Sequence, residues 1–255
     1  MSAQPLSNPA VDFVIPVYNE KENIVSVLDS LKQNIKAPFR VLICYDQDGD
    51  TTWEALKGYT PGDLFEIIPV KNKYGRGPHG AVLSGFEASL APAVLVIPAD
   101  DDYNAARFQK MIEKFHEGYD IVCASRFMSG GCMIGCPWLK ATLVRTSAFF
   151  LKHLVFLPTH DPSNGLRLFS RRVITQIQIE SRLGFTYSIE LLVKTHRLGW
   201  KIAEIPVHWY ERKKGQSRFR VMKWLWPYLQ WVLYAVETTY LRRGPESVKL
   251  KALSV

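Results

Sequence analysis

Three carboxylates stand in a row at Asp100-Asp101-Asp102, directly after the apolar run Val94-Leu95-Val96-Ile97-Pro98-Ala99. A β-branched run of that length reads as a buried strand, so its carboxyl end delivers negative charge to an exposed edge. Adjacent like charges repel, and such a cluster suits a cation; a hard divalent ion holding a phosphorylated ligand matches carboxylate oxygens. The competing reading is a helix cap, because Asp suits the first turn of the helix that opens near Ala105. One Asp would serve as the cap, which leaves two to explain. A second acidic group, Asp46, Asp48 and Asp50, follows the apolar run Phe39 to Tyr45, and Tyr18-Asn19-Glu20 closes a third run that begins at Val11. Acids at two neighbouring strand ends suit two tasks: hydrogen-bonding a nucleoside, and holding a metal against its diphosphate.

These groups can cooperate only if strands bring them to one edge. The pattern predicts strands at 11–18, 39–45, 65–70 and 94–99, separated by helices; the first helix carries Ile24, Val27, Leu28 and Leu31 at amphipathic spacing. The second half continues with helices near 107–117, 140–156, 187–198 and 221–241, and strands near 120–125, 166–169 and 201–209. Residues 127–137 read as a loop rich in small residues, and Thr159 to Gly165 as a dense turn. Strand–helix alternation of this kind predicts an α/β fold with a mostly parallel central sheet flanked by helices, right-handed crossovers, and a ligand edge at the carboxyl ends of the strands. No linker or repeat interrupts it. The expected organisation is a tail over 1–10, a catalytic domain over 11–220, and an aromatic helix with a basic tail over 221–255.

Composition narrows the function classes. The 255 residues are 47% hydrophobic and 22% charged, enough for a real core. Residues 1–10 lack the basic and then apolar pattern of a secretory signal. Cys44, Cys123, Cys132 and Cys136 form neither a disulfide framework nor a zinc pattern, so reduced thiols in a cytoplasmic protein are expected. The net charge of +8 is uneven: residues 194–255 hold 13 Lys and Arg against 4 Asp and Glu, whereas 1–193 hold 19 against 20. Such asymmetry points to a polyanionic partner. The run Trp224 to Tyr234 is broken by Pro227 and Gln230, which argues against a membrane span. Flanked by Lys223 and Arg242-Arg243, it suits an interfacial helix on an anionic leaflet, or alternatively a helix packed on the domain or on a second copy.

Taken together, Pro16-Val17-Tyr18-Asn19-Glu20, the strand-end Asp46 with Asp50, the turn Gly75-Arg76-Gly77-Pro78-His79-Gly80 and the Asp100/Asp102 pair resemble a family 2 glycosyltransferase of GT-A fold. The glycine turn alone matches neither a P-loop nor a dinucleotide fingerprint. Ala124-Ser125-Arg126-Phe127, Asp161-Pro162-Ser163-Asn164-Gly165-Leu166-Arg167-Leu168 and the stretch from Phe185 to Gly215-Gln216-Ser217-Arg218-Phe219 resemble the branch that makes dolichol- or polyprenyl-phosphate mannose or glucose. The resemblance runs from Val11 to Arg220, in order. It implies an inverting, Mg2+- or Mn2+-dependent transfer from a nucleotide-diphosphate sugar, GDP-mannose or a UDP-sugar, to a polyprenyl phosphate. A glycan or other hydroxyl acceptor in cell-envelope synthesis is the alternative.

Residue by residue, the resemblance implies nucleotide-sugar contacts at Pro16, Tyr18, Glu20, Asp46, Asp48, Lys73 and Asp100, and metal ligands at Asp100 and Asp102. Arg126 and Arg212 would meet phosphate charge during transfer; Lys140, Arg145, Arg167, Ser217 and Arg218 would serve the acceptor phosphate. Asp161 is the candidate base for a hydroxyl acceptor, with an Asx-turn beside Pro162 as its structural alternative. Arg167, on an apolar strand, reads equally as a buried, paired arginine. His79 and His160 lie in turns near the proposed site and read first as solvated or structural histidines, with a phosphate or metal contact as the alternative. The chain departs from the branch in having Asp101 between the two ligand candidates and Tyr45-Asp46-Gln47-Asp48 after the second strand, so base and sugar stay open, as does the oligomeric state. A sugar-1-phosphate nucleotidyltransferase lacks support, because no glycine-rich lysine turn follows the first strand. A nucleic-acid module on Arg212–Arg220 is opposed by the acidic strand ends. A cytoplasmic protein is expected, either free or peripheral on the cytoplasmic face of a membrane.

Overall fold

The computed structural model describes residues 9–211, 221–241 and 244–252, with side chains left out at 221–225. The chain forms two compact units, Met1–Glu113 and Lys114–Val255.

In the first unit the elements follow as β1 (Val11–Pro16), α1 (Ile24–Asn34), β2 (Phe39–Tyr45), α2 (Thr52–Leu56), β3 (Phe65–Lys71), α3 (Pro78–Ala88), β4 (Ala93–Val96) and α4 (Ala105–His116). The strands lie in the order β3-β2-β1-β4 and every neighbouring pair is parallel. Parallel strands covered on both faces bury nearly every side chain, which is why β4 is an unbroken apolar run and β1 and β2 are broken only by Asp12 and Arg40, which pair with each other. Ile24, Val27, Leu28 and Leu31 form the buried stripe of α1 as their spacing requires. Stacked Phe39 and Phe65, 4.8 Å apart, and Phe13 edge-on to Phe39 fill one layer of the core. α3 lies close on the sheet at Gly85, where a Cβ would come within 2.6 Å of Val14 Cγ1 and 2.9 Å of Cys44 Sγ. At the amino end of β1, buried Asp12 accepts from Arg40 Nε at 2.7 Å, from Ser89 Oγ at 2.7 Å and from the amides of Leu90 and Ala91. This carboxylate serves packing and lies away from the strand ends.

The second unit holds β5 (Ile121–Ser125), β6 (Cys132–Ile134), α5 (Trp138–His153), β7 (Arg167–Ser170), α6 (Arg171–Gln176), α7 (Thr186–Arg197), β8 (Ile202–Pro206), β9 (His208–Tyr210) and α8 (Val221–Tyr240), with a short 3-10 turn at Pro245–Ser247. β5 pairs antiparallel with β7 and parallel with β8. Three sequence expectations change here. The loop over 127–137 contains β6, which exists because its partner β9 lies over seventy residues on, a pairing invisible to local pattern. The single strand over 201–209 divides in two: Val207 donates its amide to Ser125 O, and the chain then leaves β5 for β6. The short helix α6 follows β7 without a gap, capped by Ser170, whose Oγ accepts from Val173 N.

α8 has a buried face and an exposed one. Arg197 of α7 donates to Thr238 Oγ1 at 3.0 Å and to Ala235 O at 3.1 Å, and Ala235 and Thr238 are buried. Trp226, Leu229 and Leu233 stay exposed. No helix among the described residues is long and apolar enough to cross a membrane. All four cysteines are free.

Candidate functional site

At the carboxyl ends of the first unit's strands, the acids sort by burial. Asp50 is buried and is a bracket rather than a ligand. It accepts from Asn19 N at 3.0 Å and from Thr52 N at 2.9 Å, and its Oδ1 takes the Thr52 hydroxyl. Thr52 Oγ1 in turn accepts from Glu20 N, and Asn19, held at φ +57, accepts from Thr51 N. The loop 17–20 is thereby fixed to the start of α2, which leaves Tyr18 exposed above it. Pro16 is half-buried at the end of β1, and Glu20 is occupied in part by Asn23 Nδ2 at 2.8 Å.

Asp46 organises the glycine turn. One oxygen accepts from Asn72 Nδ2 at 2.7 Å and the other from Gly77 N at 2.9 Å, while Asn72 also donates to Gly75 O. Gly75 and Gly77 have φ of +90 and +115, which only glycine adopts without strain. Asp46 therefore shapes the backbone at the strand edge through both oxygens. Asp48 is exposed and pairs with Lys71 at 2.7 Å, holding that ammonium above its ordinary pKa through the hydrogen bond and the charge. Lys73 turns to Glu87 at 3.2 Å. Both pairs lie on the surface and add little stability.

The triplet after β4 divides in the same way. Asp101 is buried, and its oxygens accept from Asn104 N at 3.1 Å and from Asn104 Nδ2 at 2.9 Å, closing the turn into α4. Burial raises its pKa to about 7 against the opposing Asn104 hydrogen bonds. Asp100 is half-buried and Asp102 exposed, and Ser30 donates to the backbone oxygen of Asp102 at 2.6 Å. The cap function thus falls to the middle residue, between a half-buried and an exposed carboxylate. Among the described residues no cluster of three or more His, Cys, Asp or Glu could hold a metal by itself. Two hard oxygen donors that leave most of a coordination sphere to a ligand's phosphates and water are the donor set that Mg2+ favours.

In the second unit, Arg126 follows β5 and meets the turn 159–165. Its Nε donates to Asp161 Oδ2 at 2.6 Å and its Nη2 to Asp161 Oδ1 at 2.9 Å, with Ser163 Oγ at 3.3 Å. Burial disfavours the Arg126 charge, but the Asp161 carboxylate outweighs this and holds the guanidinium above its ordinary pKa. Asp161 is fully buried, and both of its oxygens are engaged. The carboxylate thus braces the turn against β5 through a forked pair of hydrogen bonds to Arg126. Arg167 is fully buried too. It donates to Ser188 O and to Pro162 O, so it ties the turn to α7 and presents no charge to a phosphate. Arg145 and Arg126 both lie against the Phe127 ring, 5.9 and 5.1 Å from its centre, and Lys140 lies 5.2 Å from that of Trp209. Arg212, Ser217 and Arg218 lie outside the described residues.

Sequence reasoning missed Asn72, Thr52 and Glu204. Glu204 sits in β8, where it accepts from Thr159 Oγ1 at 3.0 Å, from His160 N at 2.7 Å and from His160 Nδ1. A lone acid within Ile202-Ala203-Glu204-Ile205 was the available signal.

A mostly parallel sheet flanked by helices, with acids after its strands, is the architecture of the GT-A glycosyltransferases. The chain's fold resembles that of glucosyl-3-phosphoglycerate synthase from Mycobacterium tuberculosis, solved with Mn2+, UDP and phosphoglyceric acid, at TM-score 0.62 and 20% identity over 91% of this chain and 78% of that one. The family model for glycosyl transferase family 2 matches residues 12–177, and the chain belongs to that family. It is a nucleotide-sugar-dependent glycosyltransferase. Among its relatives are polyprenol monophosphomannose synthase of Mycolicibacterium smegmatis, 23% identical over 83% of this chain and 85% of the relative, and dolichol-phosphate mannosyltransferase of Pyrococcus furiosus, 25% identical over 84% of this chain and 64% of the relative. Within the family it is thus similar to the polyprenyl-phosphate sugar synthases.

Proposed function

We propose that the chain transfers a hexose, with inversion, from a nucleotide-diphosphate sugar to a polyprenyl phosphate at an anionic membrane surface. The observation that carries the acceptor and membrane reading is α5. Trp138 is 78% exposed and Phe149 65%, and Leu139 and Leu143 are exposed with them, while Lys140 and Arg145 lie on the same helix. Leu154 and Phe156 extend the apolar surface past its end, and Tyr240 of α8 donates to Leu154 O. Such a row of large apolar side chains with cations among them suits a helix lying in the headgroup region, and the exposed face of α8 adds to it. Arg126, Arg145 and Lys140 supply charge for an acceptor phosphate nearby in the same unit.

On the donor side, the fixed loop at Tyr18 to Glu20 and the Asp46-shaped turn frame a nucleoside, and Asp100 and Asp102 would hold Mg2+ or Mn2+. When bound, the cation neutralises charge that builds on the departing diphosphate. A lipid phosphate is already anionic, so it attacks the anomeric carbon without a base, whereas both oxygens of Asp161 are engaged by Arg126 and Ser163. A hydroxyl acceptor would need a proton acceptor.

The test is transfer from labelled GDP-mannose and a panel of UDP-sugars, with Mg2+ or Mn2+, to polyprenyl phosphate in vesicles. Label in the lipid extract is the expected result. Label confined to water-soluble glycan acceptors would overturn the lipid reading, and no dependence on a divalent ion would overturn the metal assignment.

A further inference from the structure

The turn 159–165 holds a second pairing that the roles above leave unused. Glu204 lies opposite Cys123 in the β5–β8 register, three residues before Arg126 on β5's side, and its side chain is only 14% exposed. A carboxylate buried to that degree needs partners. All of them come from one segment: the Thr159 hydroxyl, the His160 amide and the His160 ring. Because the ring meets Glu204 through Nδ1, that nitrogen carries a proton and Nε2 is the ring's remaining polar atom. Nε2 has no protein partner among the described residues, and the His160 side chain is 42% exposed. The next residue, Asp161, is committed to Arg126 and Ser163. In this cluster, therefore, the imidazole is the group with spare hydrogen-bonding capacity. The carboxylate that its ring meets is Glu204.

We propose that His160 contacts the acceptor phosphate through Nε2 and that Glu204 is the residue that positions its ring. The charged ring donates Nε2–H to a phosphate oxygen, while Glu204 balances the added charge behind it. This rests on the lipid-phosphate reading above. The two acceptor classes ask different things of the same atom: a phosphate needs Nε2–H as a donor, and a hydroxyl needs Nε2 as a proton acceptor.

The experiment uses the full chain with saturating donor. It measures KM and kcat for farnesyl phosphate, with the donor KM and donor-induced thermal shift in parallel, for the wild type, His160→Gln and Glu204→Gln. His160→Gln should raise the acceptor KM about tenfold or more, as loss of a charged hydrogen bond implies, while the donor KM stays unchanged. Glu204→Gln should shift the acceptor KM in the same direction with donor-induced stabilisation intact. A His160→Gln protein with wild-type acceptor KM would overturn the inference and leave the lipid-phosphate reading standing. Donor binding without transfer to farnesyl phosphate, together with His160-dependent transfer to a hydroxyl acceptor, would overturn both.

Discussion

A carboxylate's neighbours decide whether it is a ligand or a brace, and side-chain burial separates the two here. Asp12, Asp50, Asp101 and Asp161 each face inward onto amides, hydroxyls or a guanidinium. Asp100 and Asp102 do not share that burial. Asp100→Asn and Asp102→Asn should therefore each abolish the divalent-ion-dependent thermal shift produced by a nucleotide sugar, and Asp102→Asn should leave the melting temperature of the free protein within about 2 °C, since an exposed substitution costs little. A melting temperature that drops sharply would mark them as caps. Asp161→Asn is expected to act the other way. It leaves Arg126 without its counter-charge in a buried setting, at a cost of about 3 kcal/mol, to be read from denaturant midpoints. Unchanged stability would show that the pair is dispensable.

At the scale of elements, the amphipathic stripes were readable and the non-local pairings were not. The i, i+3, i+4, i+7 spacing of α1 requires one buried face, and that face is buried. By contrast, β6 and β9 are three residues each, too short to carry a period, and exist because each completes the other. α7 shows the same limit from another side. Nearly all of its length is buried, including Glu190 and Lys194, whose ammonium donates to Glu190 at 2.6 Å and to Glu180 at 2.8 Å. No polar-outward pattern announces such a helix. In its last turn, burial and then the charge of Arg197 lower the pKa of His196. The unfolded chain binds a proton there more readily than the folded one does. The stability this contributes is full above about pH 6.5 and is lost as the pH falls through the lower folded value. His196→Gln should reduce the loss of thermal stability between about pH 7 and 5; an identical pH dependence in both proteins would remove His196 from the account.

For the whole molecule, the uneven charge acquires an address. The cations of residues 194–255 share the second unit with the exposed apolar rows of α5 and α8, whereas the acidic strand ends belong to the first. Co-sedimentation with vesicles rich in phosphatidylserine should therefore be strong at low salt and weaken as ionic strength rises. The double variant Trp138→Glu, Leu143→Glu should lose that binding without losing the nucleotide-sugar thermal shift. Vesicle binding that survives the double variant would assign the apolar row of α5 to another partner.

The α/β class, the buried strands, the acidic strand ends and the family are legible in the chain, because each is written in local runs and short motifs that sterics and burial read directly. Which acids face inward is settled by folding. It turned Asp101 onto Asn104, Asp50 onto the loop before α1, Asp161 onto Arg126 and Arg167 onto two carbonyls, and it joined His160 to Glu204 across more than forty residues. The physical reason is that a carboxylate has the same chemistry wherever it stands in the chain. Whether it braces a turn or remains available to a cation depends on donors that folding brings to it from distant positions.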